Sequence, residues 1–183
     1  MSRFRSRPLI VASLLIICVF AFAKPTSAQD FPQMRLLSDL DFPGEGYCID
    51  VVGVGPSART DLPLVMHNCL PRMDRVDRYA VFEEGKVKMP AFDACVTAFG
   101  VNGVLPGSPV LLRPCDRKES FLRAGDFQDF EFTQEGQLRL RGTEFCLTAG
   151  RETDRTFSSS DRWRTLTMQP CSEAFGELSI WKN

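Results

Sequence analysis

The sequence predicts an all-β fold made of three similar units, and three observations support this prediction. Six cysteines fall into three pairs, and the opening cysteines recur about every fifty residues. No stretch of eleven or more residues keeps a helical period, and prolines and glycines interrupt the chain at short intervals. A hairpin signal with a central glycine precedes the opening cysteine in units two and three, most clearly over residues 132–140, where Gln134-Glu135-Gly136 forms the expected turn.

Each cysteine pair encloses a similar pattern of strands. The opening phrases are GYCID, DACVTA and EFCLTA, and the strands expected to lead into the closing cysteines cover residues 64–67, 110–113 and 165–169. Units of this length, with about four short strands each, cannot bury a sheet face alone and must share one core. Propellers typically need at least four blades, so three units favour a β-trefoil with pseudo-threefold symmetry.

The first 28 residues have the pattern of an export signal. A basic start at Arg3, Arg5 and Arg7 precedes an apolar run over residues 8–23, and small residues end at Ala28. The run is shorter than the ~20 residues that span a bilayer, although an uncleaved anchor is the alternative. We therefore predict a signal peptide at 1–28 and a mature domain at 29–183, with units of about 34–80, 81–130 and 131–183. No membrane span is expected after cleavage, and the short basic leader is typical of a secreted or periplasmic bacterial protein.

The six cysteines of the mature chain are expected to form disulfides. An even number in an exported chain is typical of a disulfide framework, and six cysteines allow fifteen pairings. Repetition favours pairing within each unit, where every bridge contributes ~3 kcal/mol in the chain-entropy model. Zinc is the alternative, but the chain has no CxxC spacing and a single histidine, so we predict neither a metal nor a cofactor. The predicted bridges are Cys48–Cys69, Cys95–Cys115 and Cys146–Cys171.

The charge of the mature domain argues against one class of partner. Cleavage removes four of the 22 basic residues (Arg3, Arg5, Arg7 and Lys24) and none of the 23 acidic ones, which leaves a formal net charge of −5. An acidic domain repels phosphate backbones, so nucleic acid is not an expected partner.

Residues 34–183 resemble the ricin B-type lectin family of β-trefoils. The phrases Cys48-Ile49-Asp50, Cys95-Val96-Thr97 and Cys146-Leu147-Thr148 are similar to those that open each unit in that family. The segments 112–115 and 168–171 resemble its closing phrase. Gln128-Asp129-Phe130 looks like its Gln-x-Trp motif, and Asp77-Arg78-Tyr79 takes the same place in unit one. In unit three, either Glu177-Leu178-Ser179 or Ser179-Ile180-Trp181 could fill it, and the aromatic residues Tyr79, Phe130 and Trp181 are expected in the core.

The resemblance implies a shallow site for a galactose-type sugar. In that family an Asp two residues after the opening cysteine accepts hydrogen bonds from sugar hydroxyls, and an aromatic ring two residues before the closing cysteine stacks on the sugar. Unit one keeps the acid as Asp50, has His67 at the platform position, and has Asn68 beside it as a possible amide contact. These three residues are the predicted carbohydrate-binding site. The other units offer neither acid nor ring at these positions (Thr97 and Arg113, Thr148 and Gln169).

Trp163 lies in the longest polar segment, which we expect to be a loop over residues 158–164. An indole in such a loop is either an anchor that packs the loop down or an exposed platform for a ligand.

The resemblance implies a secreted module that binds glycans weakly and is not an enzyme. A nucleophilic triad would depend on His67, and no serine stands in a GxSxG motif. A glycosidase would need two carboxylates about 5 to 9 Å apart, which a sequence does not reveal. The alternative function is protein binding by a toxin-accessory or inhibitor-like trefoil whose sugar pockets have decayed. Both readings leave the oligomeric state open.

Overall fold

Antiparallel β-strands form the fold throughout the described residues, which confirms the all-β prediction. The computed structural model describes residues 33–69, 79–116, 127–174 and 176–183. The predicted signal peptide at 1–28, and Asp77 and Arg78 of the motif in unit one, lie outside these residues. Within the described ranges there are thirteen strands and one helical turn: β1 Arg35–Leu36, β2 Tyr47–Asp50, β3 Val65–Asn68, β4 Val81–Glu83, β5 Lys86–Met89, β6 Ala94–Ala98, β7 Ser108–Pro114, β8 Phe130–Phe132, β9 Leu138–Leu140, β10 Phe145–Ala149, β11 Asp154–Arg155, β12 Arg162–Pro170, α1 Gly176–Ser179 and β13 Trp181–Lys182. Short 3-10 turns cover Gly55–Ser57 and Pro90–Phe92.

Each cysteine pair closes a pair of neighbouring antiparallel strands, and the register is the same in all three. The opening cysteine lies opposite the residue two positions before the closing cysteine: Cys48 opposite His67, Cys95 opposite Arg113, and Cys146 opposite Gln169. This register brings the Cα atoms of the bridged cysteines to 5.1, 5.0 and 4.9 Å, well within the range of a disulfide. The predicted pairing within units is confirmed.

The same positions of each unit fill the core. Residues one after the opening cysteine, and residues three and five before the closing cysteine, are apolar and at most 4% exposed. Burying one such side chain contributes ~1.5–3 kcal/mol, so the repeated phrase is a repeated set of core contacts. The nine residues are Ile49, Val96, Leu147, Met66, Leu112, Met168, Leu64, Val110 and Leu166.

The three strand pairs also bond to one another. Strand β12 pairs with β3 through residues 163–165 and with β7 through residues 167–168. The amide of Leu64, just before β3, donates to the carbonyl of Val110 in β7 at 2.9 Å. All thirteen strands of the described chain therefore belong to one curled antiparallel sheet. The buried apolar residues of all three units form one cluster, so the units share a single core.

The predicted hairpin before the third opening cysteine is present. Strand β8 pairs with β9, with Phe130 opposite Leu140 and Phe132 opposite Leu138. Gly136 has φ +84° in the connecting turn, a backbone conformation that L side chains rarely adopt. The turn residues and the alternating apolar residues around them were sufficient to predict this hairpin, because both signals are local.

The Gln-x-Trp-like motif of unit two joins the strands of that unit through a buried side chain. Gln128 is fully buried, and its amide nitrogen donates to Thr97 Oγ1 at 2.9 Å and to the carbonyl of Pro114 at 3.0 Å. Its amide oxygen accepts from the backbone of Asp116 at 2.8 Å. One side chain thereby ties the ends of β6 and β7 to the start of β8, and Phe130 lies in the core beside it, as predicted.

In unit three, the aromatic residue of the motif is present, but an amide from elsewhere in the chain makes the hydrogen bonds. Trp181 is 4% exposed and its indole donates to the carbonyl of Leu147 at 3.0 Å, so Ser179-Ile180-Trp181 fills the motif. The hydroxyl of Ser179 donates to the carbonyl of Gly176, and the amide of Gln137 donates to the carbonyl of Cys171 and to Ser179 Oγ. In unit one, Tyr79 is only partly buried, less than predicted.

Replacing Gln128 by leucine should destabilise the oxidised protein by about 1–3 kcal/mol, since three buried or partly buried polar groups lose their partner. Gln169→Leu is the matched control, because this half-buried amide donates to Thr167 Oγ1 at the surface of a strand pair. Its free energy of unfolding should stay within about 0.5 kcal/mol of the original. Urea denaturation of both variants measures the difference, and equal losses would show that Gln128 does not close unit two.

Candidate functional site

The predicted acid and the predicted platform lie on one face of the sheet β2–β3–β12. Strand residues point alternately to opposite faces, so Cys48 and Asp50 of β2 share a face with His67, which lies opposite Cys48. Asp50 is the diagonal neighbour of His67, and the carboxylate oxygen Oδ2 lies 4.0 Å from the imidazole nitrogen Nδ1. The fold therefore brings together two of the three residues that sequence reasoning selected.

Both side chains lie beneath the surface. Asp50 is 2% and His67 8% exposed. One carboxylate oxygen of Asp50 accepts from the backbone amide of Val51 at 2.7 Å, and Nδ1 of His67 lies 3.0 Å from the carbonyl oxygen of Asn68. Buried polar groups held in this way have fixed orientations. They can form the floor of a binding site, and a ligand has to approach them across their more exposed neighbours.

Asn68 points to the opposite face. It follows His67 directly in the strand and lies opposite Tyr47, on the core side of the sheet. Its amide nitrogen donates to Glu45 at 2.8 Å, and its amide oxygen accepts from the backbone of Arg162 at 3.0 Å. Asn68 therefore joins the loop before β2 to the start of β12, and this geometry separates it from the face that carries Asp50 and His67.

Trp163 lies in a strand, and the expected loop over residues 158–164 ends earlier than predicted. Strand β12 begins at Arg162, and Trp163 lies directly opposite His67 of β3 and Asp154 of β11. The indole is half-buried and shares the face of Asp50 and His67. Sequence reasoning missed this neighbour because the pairing joins units one and three. The alternation of Trp163, Thr165 and Thr167 with Arg164, Leu166 and Met168 was the available signal for a longer strand.

Exposed polar groups flank the indole on the same face. Thr165, two residues along β12, is exposed, and so is Asp154 across from Trp163. One carboxylate oxygen of Asp154 accepts from the amide of Arg155 at 2.7 Å. The face thus combines a partly exposed aromatic ring, a hydroxyl and carboxylates.

The reverse face of β12 carries a buried arginine. The side chain of Arg164 is 6% exposed and its guanidinium lies 4.9 Å from the centre of the Tyr47 ring, a cation–π contact. It donates to the carbonyl of Gly150 at 3.0 Å and forms an ion pair with Asp41, which also accepts from the Tyr47 hydroxyl at 2.9 Å. This cluster fixes β12 against β2 and against the loop before it.

The same contacts shift the pKa values of the charged partners. Burial raises the pKa of Asp41, but hydrogen bonds from Arg164 and Tyr47 and the charge of Arg164 outweigh it, and the net pKa lies below the usual 3.8. Burial lowers the pKa of Arg164, and its bonds to Asp41 and Tyr47 outweigh that effect as well, so the net shift is upward. The ion pair is therefore fully formed at neutral pH.

The equivalent faces of units two and three are built differently. The hydroxyls of Thr97 and Thr148 donate to the carbonyls of Cys95 and Cys146, each at 3.1 Å, and both threonines are buried. The described part of the chain contains no group of three His, Cys, Asp or Glu side chains placed to hold a metal ion. Among the described residues, the structure contains no helix with the length and apolar character that a membrane span requires.

A second exposed surface lies between β6 and β7. Phe99 is 49%, Val101 54% and Leu105 70% exposed, and residues 99–107 include no charged side chain. We call this segment the apolar loop. Apolar side chains clustered at the surface are typical of sites that contact another protein.

Comparisons with known proteins bear on the fold. No protein-family model matches the chain, and no curated protein matches it. Among solved structures, the chain is similar to one described as "Solution structure of mdaA-1 domain", with a TM-score of 0.54. The likeness covers 82% of this chain and 86% of that one at 12% identity. Identity this low indicates a shared fold and carries no information about a ligand.

Replacing Asp41 by asparagine should remove an acid-sensitive part of the stability. A carboxylate whose pKa is lowered by folding stabilises above its unfolded pKa of ~3.9, and this contribution disappears as the pH falls through the folded value. Because Asp41 is 40% exposed, the loss at pH 7 should be about 1 kcal/mol. The difference in melting temperature between the original chain and Asp41→Asn should shrink from pH 6 to pH 2.5.

Glu173→Gln is the control for this titration, since Glu173 is an exposed carboxylate away from Arg164. Its difference from the original chain should be small at every pH. If the difference in melting temperature for Asp41→Asn stays constant down to pH 2.5, the charge of the carboxylate does not stabilise the cluster of Arg164, Tyr47 and Asp41.

Proposed function

We propose that this chain is an exported, disulfide-closed β-trefoil of the ricin B lectin type that binds carbohydrate and catalyses no reaction. Three strand pairs in identical register, a core filled by equivalent positions of three units, and one curled sheet support the trefoil. Three disulfides are typical of an oxidising compartment, outside the cell or in the periplasm.

The arrangement of Asp50, His67 and Trp163 on one sheet face carries the proposal for a sugar ligand. A pyranose has hydroxyls at its edge and a C–H-rich face, and therefore binds well where acceptors stand beside an aromatic ring. His67 in unit one offers a smaller ring than the family uses. The indole of Trp163 in the next strand supplies the area that the imidazole lacks. A galactose-type glycan is the ligand that the resemblance implies.

The chemistry of the remaining groups favours binding over catalysis. All six cysteines of the mature domain are oxidised to disulfides, so none serves as a thiolate nucleophile. His67 has its Nδ1 against the carbonyl of Asn68 and its ring almost buried, which is a poor position for proton exchange with a substrate.

Protein binding is the second candidate function, and the apolar loop favours it. Phe99, Val101 and Leu105 are exposed in a segment without charge, as the centre of a protein interface would be. A protein ligand held there would be insensitive to free sugars. Competition by galactose therefore separates the two candidate functions.

The mature, oxidised protein should bind galactose-terminated glycans on an array, and Asp50→Ala should lower that binding at least tenfold. Thr148→Ala is the matched control, since it truncates the equivalent buried position of unit three and should leave binding unchanged. Because Asp50 is buried, Asp50→Asn serves as a second variant of nearly the same shape, and circular dichroism checks that all variants fold. Absence of binding by the original protein to every glycan at high concentration would eliminate the lectin function.

A further inference from the structure

We propose that the sugar site is shared between units one and three, with Trp163 as the platform for the ring and Asp154 as an acceptor for its hydroxyls. This site rests on the proposed carbohydrate-binding function. Its accessible contact residues are Trp163 and Asp154. It extends the contact surface from the buried pair Asp50 and His67 to the strands β12 and β11 beside them.

The strand pairing places these groups in one row. Asp154 of β11, Trp163 of β12 and His67 of β3 are consecutive cross-strand neighbours, and Cys48 of β2 continues the row. Neighbouring strands lie ~4.8 Å apart, and residues directly opposite each other share a face. A ring stacked on the indole therefore has a carboxylate on one side and an imidazole on the other.

Exposure decides which of these groups meets a ligand. Asp50 and His67 are almost buried, whereas Asp154 and Thr165 are exposed and Trp163 is partly exposed. A sugar in solution can reach the indole without moving the chain. Since aromatic residues supply much of the contact energy at binding sites, most of the affinity should depend on Trp163.

The backbone that carries the indole is fixed before any ligand arrives. Strand β12 is paired on both sides at Trp163, the amide of Arg162 donates to Asn68, and Arg164 is fixed on the reverse face by Asp41 and Tyr47. Because the backbone is already ordered on both sides, binding at Trp163 requires no ordering of the main chain, which lowers the entropic cost. The two faces of β12 thus have different roles. On the reverse face Arg164 anchors the strand, and on the other face Trp163 exposes its ring to a ligand.

Intrinsic fluorescence provides a direct test, because the chain has two tryptophans and the other, Trp181, is 4% exposed in the core. Titration of the mature protein with methyl β-galactopyranoside and with lactose should change the emission of Trp163. The change should disappear in Trp163→Phe. Acrylamide quenching of the original protein should fall when the sugar is bound, since the ring shields the indole.

Calorimetry with the same sugars measures the affinity of the variants. Trp163→Ala should weaken binding about tenfold or more, and Asp154→Asn about fivefold, in line with the usual energies of ring stacking and of one charged hydrogen bond. Phe157→Ala is the matched control, because this fully exposed ring lies on the same hairpin but outside the row. Its affinity should equal that of the original protein.

The outcomes separate the two proposals. If the original protein binds and Trp163→Ala and Asp154→Asn bind equally well, the shared site is wrong while the lectin function stands. If Asp50→Asn alone weakens binding, the site belongs to unit one only. If the original protein binds no glycan on the array and neither sugar in calorimetry, both the lectin function and the shared site are refuted.

Discussion

The register within each cysteine-closed strand pair is the constraint on which the rest of the structure depends. It places the opening cysteine opposite the residue two positions before the closing one, and so sets the distance for the disulfide. The same register sends the residues between them alternately to the core and to the outer face. A slip of one residue in any unit would exchange its core side chains for its polar ones and would break the bridge at the same time.

This constraint explains why the core and the bridges could be predicted from the sequence. The spacing of cysteines, the apolar positions around them and the turn at Gly136 are local signals, and each one repeats. Three copies of a weak signal are stronger evidence than one. The strands expected before the closing cysteines, the hairpin near residue 136 and the three bridges are accordingly present in the structure.

Contacts between units could not be predicted in the same way. The pairing of Trp163 with His67 joins distant parts of the chain, and no repeated sequence motif predicts it. Alternation within the strand, in contrast, was available and was not used: Asn68 follows His67 directly and must point to the other face. The substitution of Gln137 for the missing motif residue in unit three is a further case, because only the folded chain shows which amide reaches Cys171.

The three bridges have one property in common that concerns the way the chain is connected: none of them joins two units. The covalent path from one unit to the next is the backbone alone, while strand pairing and buried side chains hold the units together. A rearranged gene that begins at unit two and joins unit three to unit one would therefore keep every cysteine pair within one continuous segment. Oxidative folding of such a permuted chain requires no bridge across the new junction, so disulfide chemistry does not fix the order of the units.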